Sequence, residues 1–282
     1  MVDLAEPEAI DCPLGRVTLH GVTAGEGPLA LLFHGITANG YVFAPLMAGL
    51  ADAFRLVSVD QRGHGRSSKP RDGYAGRDFA DDIAGLVRFL GGRPALAIGH
   101  SLGARNALVA GERFPELVAA VVAIEFTPYI ETEVFDELDA RIAGGDRWFP
   151  DLAAVRAYLA DRYPLLPADA VDRRARFGYA ASDGGYRPLA DPQAMRQIAA
   201  GLREDLASTL AAIRVPTLLI RGAGSKLVSP AAWEKTRSLR PDLRAVELSG
   251  ADHYVPEEVP DAVASEIRRW SATIRPDVRA AG

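Results

Sequence analysis

The 282-residue chain holds one cysteine, Cys12, so no internal disulfide can form. That usage points to a reducing compartment and, for a chain without export signals, to the cytoplasm. Long apolar runs are also missing. The longest, Leu117 to Ile124, is far too short to cross a bilayer. The acidic stretch Met1 to Asp11 has no apolar segment and does not read as a signal peptide. Basic charge is not in excess: the formal net charge is -5, which argues against nucleic acid and anionic membranes as partners. No histidines and acids fall at metal-ligand spacing, so neither metal nor cofactor is expected. The glycine-rich loop Asp60 to Ser68 lacks the endings and spacings of a phosphate cradle and reads as structural. Finally, lysine is absent between residues 128 and 205, where arginine recurs.

What is present is a rhythm. Apolar runs at Leu29 to Phe33, Arg55 to Val59, Pro94 to Ile98 and Val118 to Ile124 alternate with helical patterns. An earlier strand is read at Val17 to Gly21. Asn39 is placed to cap one helix, and Asp78 opens another with Phe79, Ile83, Leu86, Val87 and Leu90 on one face. Continuous apolar strands separated by helices imply a mostly parallel sheet covered on both faces. From Pro128 to about Asp205 the pattern turns helical, with no convincing strand. The earlier rhythm resumes with a strand at Thr217 to Ile220, a helix near Ala231 to Leu239, a strand at Leu243 to Leu248 and a last helix bearing Val259, Val263, Ile267 and Trp270. The expected division is therefore an α/β core, residues 1–127 and 206–282, with residues 128–205 inserted as a helical cap over the sheet's C-terminal edge. Ligands bind at that edge in such folds.

Gly99-His100-Ser101-Leu102-Gly103 matches G-x-S-x-G, a turn from strand to helix that lifts one hydroxyl clear of the backbone. The turn forces the residues two before and two after the serine together, so both must be small. A strand before the motif and a helix from Leu102 to Phe114, stopped by Pro115, supply its context. A serine nucleophile needs a base, and the base needs a carboxylate to orient it. In the order serine, acid, histidine, only His253 comes late enough; His20, His34 and His64 precede Ser101, and His100 is read as pointing away from it. The loop after Thr217 to Ile220 contains no carboxylate, and Lys226 stands there instead. Glu125 follows the apolar run Val121 to Ile124 directly and is the expected acid, with Asp252 as its rival. The N–H groups of Leu102 and Ile36, the latter in His34-Gly35-Ile36-Thr37, are the expected oxyanion hole.

These pieces resemble the α/β-hydrolase superfamily over nearly the whole chain. A narrower resemblance is carried by Phe33-His34-Gly35-Ile36-Thr37, Gly99 to Asn106, Phe126 to Glu133 and Ser225 to Ser229. There the chain is similar to the (E)-2-(acetamidomethylene)succinate hydrolases of vitamin B6 degradation. That resemblance implies a small dicarboxylate amide cleaved to acetate, succinic semialdehyde, ammonia and CO2, with Arg141, Arg162 and Arg174 as substrate-binding residues. Glu125 departs from the family's aspartate by one methylene. Arginine holds carboxylates bidentately where lysine does not, so an arginine-bearing cap suits such a substrate independently. The bland alternative pairs these arginines with Asp139, Asp161 or Asp172 on solvated helix faces. Other readings are a carboxylesterase or lactonase, a C–C bond hydrolase, or a ligand receptor on a hydrolase scaffold. A homodimer is left open.

Overall fold

The computed structural model describes residues 8–274. The part of the acidic N-terminal stretch before Glu8 lies outside them. In chain order the elements begin with β1 (Glu8–Pro13), β2 (Thr18–Ala24) and β3 (Leu29–Phe33). Then come α1 (Ala44–Ala48), β4 (Arg55–Val59), α2 (Gly76–Phe89), β5 (Ala95–His100), α3 (Leu102–Arg113) and β6 (Val118–Ile124). Next are α4 (Thr132–Ala143), α5 (Leu152–Arg162), α6 (Ala168–Gly178), β7 (Tyr179–Ser182), β8 (Gly185–Pro188) and α7 (Pro192–Gly201). The chain closes with α8 (Ala207–Ala212), β9 (Thr217–Gly222), α9 (Pro230–Leu239), β10 (Arg244–Leu248), α10 (Val255–Glu258) and α11 (Pro260–Ser271).

Eight strands form one sheet in the order β1-β2-β4-β3-β5-β6-β9-β10. The pairings from β4 to β10 are parallel, while β1–β2 and β2–β4 are antiparallel. The central strands are apolar along their length because both faces are covered. On one face Leu31, Val57, Ala97 and Val121 pack against α2 and α3 through Ile83, Val87, Ala107 and Leu108. On the other, Leu32, Leu56, Ile98 and Val122 meet Leu46 of α1 and Val263, Ile267 and Trp270 of α11. Asn39 caps a short 3-10 turn ahead of α1 by accepting the Tyr41 N–H at 2.9 Å. Asp78 stands in the first turn of α2 and accepts the Ala75 N–H at 2.8 Å, tying down that helix entry. Among the described residues no helix is long and apolar enough to cross a membrane.

Helices α4 to α7 lie between β6 and β9 in sequence. They are not the whole of that segment. Contrary to the all-helical expectation, β7 and β8 pair as an antiparallel hairpin across Asp183 and Gly184, and Phe149 bridges to Tyr186 beside it. Phe149, Val155, Leu159, Tyr163, Ala170 and Ala175 make a small apolar core within this segment. Ile142, Met195 and Ile198 pack instead against Phe79 and Leu102 of the sheet layer. The segment thus rests directly on the helix that follows Ser101.

Candidate active site

Register brings the candidate residues to one edge. Phe33 pairs with Gly99, His100 with Ile124, and Ile124 with Ile220. The segments after β3, β5, β6 and β9 therefore leave the sheet side by side, all at C-terminal strand ends. Ser101 occupies the turn between β5 and α3 with φ 54° and ψ -114°, a conformation costly for a residue with a side chain. The flanking glycines make the turn sterically feasible. A Cβ on Gly99 would lie 2.1 Å from the Gly103 carbonyl oxygen, and one on Gly103 would lie 1.9 Å from that of Phe33. Gly35 lets the β3 loop approach the turn, since a Cβ there would lie only 3.1 Å from His100 Nδ1.

Glu125 follows β6 with φ 58°, and its side chain is completely buried. Its carboxylate is met from three sides. The Gly222 N–H donates to Oε1 at 2.7 Å, the Ser225 hydroxyl donates to Oε2 at 2.6 Å, and His253 Nδ1 lies 3.1 Å from Oε2. Ser225 Oγ itself accepts the Val228 N–H at 3.0 Å, which leaves its proton for Glu125. The β9 loop, which has no acid, thus supplies donors to an acid on the neighbouring strand. Buried Arg221 holds that loop through the carbonyls of Val228 (2.7 Å) and Ser225 (3.2 Å). A carboxylate only accepts, so the proton of the His253 pair sits on Nδ1 and Nε2 keeps its lone pair. Asp252, the rival, does not reach its neighbour's ring; its Oδ1 takes the backbone N–H groups of His253 and Tyr254.

His100 does more than its expected place suggests. Its ring lies 4.9 Å from that of His253, and Nε2–H donates to the His253 carbonyl at 2.7 Å. Burial pushes its pKa well below the usual histidine value, and the facing His253 adds to this. His34 and His64 brace the loop that follows β3. His34 Nε2 accepts the Gln61 N–H (3.0 Å), so Nδ1–H donates to the Gly35 carbonyl (2.7 Å). His64 Nε2 accepts the Thr37 N–H (3.1 Å), so Nδ1–H donates to the Arg62 carbonyl (3.1 Å). The loop Asp60 to Ser68 thereby braces the segment carrying Ile36. Among the described residues no hydrogen bond takes up the Ile36 N–H, and Leu102 is the first residue of α3, where the helix offers its N–H no partner.

Both tautomers require neutral rings. Desolvation lowers the His34 pKa to about 4 and that of His64 to about 3. The unfolded chain takes up these protons below about pH 6.5 while the native state refuses them. Stability should therefore be complete above pH 6.5 and be lost as pH falls toward 4, by about 3 kcal/mol from His34 alone. Chemical denaturation midpoints across pH 4 to 8 check this; a midpoint constant from pH 7 to pH 4.5 contradicts it.

Ser101, Glu125, His253, Ile36 and Leu102 all line one cavity of about 230 Å³, whose opposite wall is the inserted segment. Arg141, Arg162 and Arg174 line it as well. Their environments differ. Arg174 is buried, forked onto Glu257, and sits 4.9 Å from the ring centroids of Tyr163 and Tyr254. Arg162 donates to the hydroxyls of Tyr163 (3.1 Å) and Tyr158 (3.0 Å) and to the Arg141 carbonyl (3.2 Å), and Arg141 donates to the Tyr254 hydroxyl (3.2 Å). Neither Arg141 nor Arg162 has a carboxylate partner among the described residues. Of the aspartates in the bland alternative, Asp139 pairs with Arg203 and Asp172 with Arg156 and Arg176, and among the described residues Asp161 makes no ion pair with any of the three arginines. Ser225 lay in a stretch that carried the resemblance but suggested no role for it, and Tyr254 and Glu257 carried no recognisable motif, because the importance of each lies in which distant residue it touches.

A sheet of this topology, with a strained serine at a strand-to-helix turn, defines a class. Residues 30–266 match the model of the alpha/beta hydrolase family, and the chain belongs to that family. Within it, the chain is 54% identical over 257 residues to the 2-(acetamidomethylene)succinate hydrolase of Mesorhizobium japonicum, covering 91% of this chain and 92% of that one. The crystal structure of E-2-(acetamidomethylene)succinate hydrolase superposes with a TM-score of 0.93 at 51% identity, over 95% of this chain and all of the other. The thioesterase domain from the curacin biosynthetic pathway, at 25% identity, gives a TM-score of 0.81 over 93% of this chain and 99% of its own.

Proposed function

We propose that this protein hydrolyses 2-(acetamidomethylene)succinate at its amide bond. One observation carries the choice of substrate: Arg141 and Arg162, which have no carboxylate partner among the described residues, line the cavity that also holds Ser101 and His253. A dianion would satisfy both. The identity to the Mesorhizobium japonicum enzyme supports the same reading. Residues 128–205 act as the cap that closes the cavity, and Arg174, balanced by Glu257, stiffens its aromatic wall.

His253 Nε2 takes the Ser101 proton as Oγ attacks the acetamide carbonyl. The Ile36 and Leu102 N–H groups hold the oxyanion. Glu125 keeps the imidazole in its tautomer and steadies the imidazolium. Protonated His253 then gives its proton to the leaving nitrogen, whose electron pair the conjugated carboxylate helps to accept. Water, deprotonated by His253, releases acetate and restores Ser101. The departing enamine hydrolyses to ammonia and an aldehyde acid, which loses CO2 to give succinic semialdehyde. The single buried thiol, Cys12, suits a reducing cytoplasmic setting.

Incubation with 2-(acetamidomethylene)succinate should yield acetate and succinic semialdehyde in equal amounts. No product at high enzyme concentration overturns the substrate assignment. Arg162→Leu should raise KM for the dianion by about 10- to 100-fold, the cost of a charge-assisted hydrogen bond. Hydrolysis of a neutral chromogenic acetate ester should suffer far less. Equal losses on both substrates would remove Arg162 from carboxylate recognition.

A further inference from the structure

The loop carrying His253 is held by a pair of carboxyl groups that the proposed chemistry does not use. Glu258 Oε2 accepts the Asp252 N–H at 2.8 Å, and Asp252 Oδ1 accepts the N–H groups of His253 and Tyr254. The Glu257 and Glu258 N–H groups donate to the Tyr254 carbonyl at 2.8 and 3.0 Å, closing the turn of α10. The other Glu258 oxygen, Oε1, is buried with no hydrogen-bond partner among the described residues. Through its contact with the Asp252 N–H, the Glu258 carboxyl is held next to a second acid, Asp252. A half-buried carboxyl with one oxygen shut away from water and unpartnered, held against a second acid, favours the neutral form.

We propose that Glu258 is a positioning residue for His253: it pins the Asp252 backbone, and the Asp252 side chain in turn fixes the backbone N–H groups of His253 and Tyr254. The proposal rests on reading His253 as the base. Burial, with Asp252 adding to it, pushes the Glu258 pKa up to about 8. The other charged or titratable groups facing this corner are Glu257, already bound to Arg174, and His253, Tyr254, Tyr163, Lys226, Glu137, Arg141 and Arg162 around the adjoining cleft. Ionisation puts a second negative charge beside Asp252, the two side chains separate, and the loop relaxes. His253 Nε2 then moves away from Ser101.

The test is the pH profile of kcat for a neutral acetate ester at saturating concentration, in wild type, Glu258→Gln and Glu258→Ala. Wild type should lose kcat with a midpoint near pH 8. Glu258→Gln, which mimics the neutral acid, should keep most of kcat at pH 7 and lose that alkaline decline. Glu258→Ala should lower kcat by roughly 10- to 100-fold with little change in KM, as displacement of a catalytic group by about 1 Å does. A Glu258→Gln profile that declines as wild type does overturns the proposal, as does full kcat in folded Glu258→Ala. If the alanine variant does not fold, the glutamine profile decides. His253→Ala separates the two levels: if it keeps wild-type turnover, the base reading itself has failed.

Discussion

Ser101→Ala should abolish turnover of 2-(acetamidomethylene)succinate, lowering kcat by about 10⁶-fold, the loss seen when a serine hydrolase is deprived of its nucleophile. Without Oγ no acyl-enzyme can form, so His253 and the two N–H groups have only water to work with. What survives is the contribution of binding and of the oxyanion hole, which act on any attacking oxygen. Folding should be untouched. Ser101 holds φ 54° through the packing of Gly99, Gly103 and Phe33 around it, and alanine occupies the same space. The melting temperature of the variant should match wild type while acetate release falls to background. Retention of more than about a hundredth of the rate would mean that the cleavage does not pass through Ser101.

Glu125→Gln should cost about 10⁴ in kcat, the penalty for losing the orienting carboxylate of such a triad. The hydrogen bonds show why an isosteric amide fails. Oε1 receives the Gly222 N–H, while Oε2 receives the Ser225 hydroxyl and His253 Nδ1–H. If the amide oxygen took the place of Oε2, its NH2 would face the Gly222 N–H, donor against donor. With the amide reversed, the NH2 would face Nδ1 and drive the proton to Nε2, where the base needs its lone pair. Either arrangement leaves a buried polar group unmet. The loss should appear in kcat with both the dianion and a neutral ester, because Glu125 does not touch the substrate. A rate within about 10-fold of wild type would show that another carboxylate orients His253.

Local constraints made much of this molecule readable before any coordinates. The strand-to-helix turn at Ser101 could be recognised because its requirement is local: two small residues at fixed spacing, between a strand and a helix. The strand at Val118–Ile124 and the start of α3 at Leu102 fall where the apolar runs placed them. Glu125 was legible because a carboxylate directly after four apolar residues must end a buried strand. By contrast, β1 (Glu8–Pro13) was missed. It is an edge strand of which Cys12 alone is fully buried, and pairing with β2 rather than its own pattern makes it a strand. The β7–β8 hairpin was missed although Asp183-Gly184, with φ of 52° and 75°, is a recognised hairpin turn. Its flanking residues are small or aromatic without clean alternation, so the turn stood alone.

By itself the sequence determined the alternation of strands and helices through most of the core and the serine turn, since each depends on neighbours a few residues apart, while chain order alone singled out His253. Only the tertiary structure decided which groups meet: Ser225 and Gly222 on Glu125, Glu257 on Arg174, Glu258 on Asp252, and, among the described residues, no acid on Arg141 and Arg162. Ion pairs and buried hydrogen bonds act over a few ångströms of space, whatever the separation along the chain. Packing alone settles whether a charge is already satisfied or is left for a ligand.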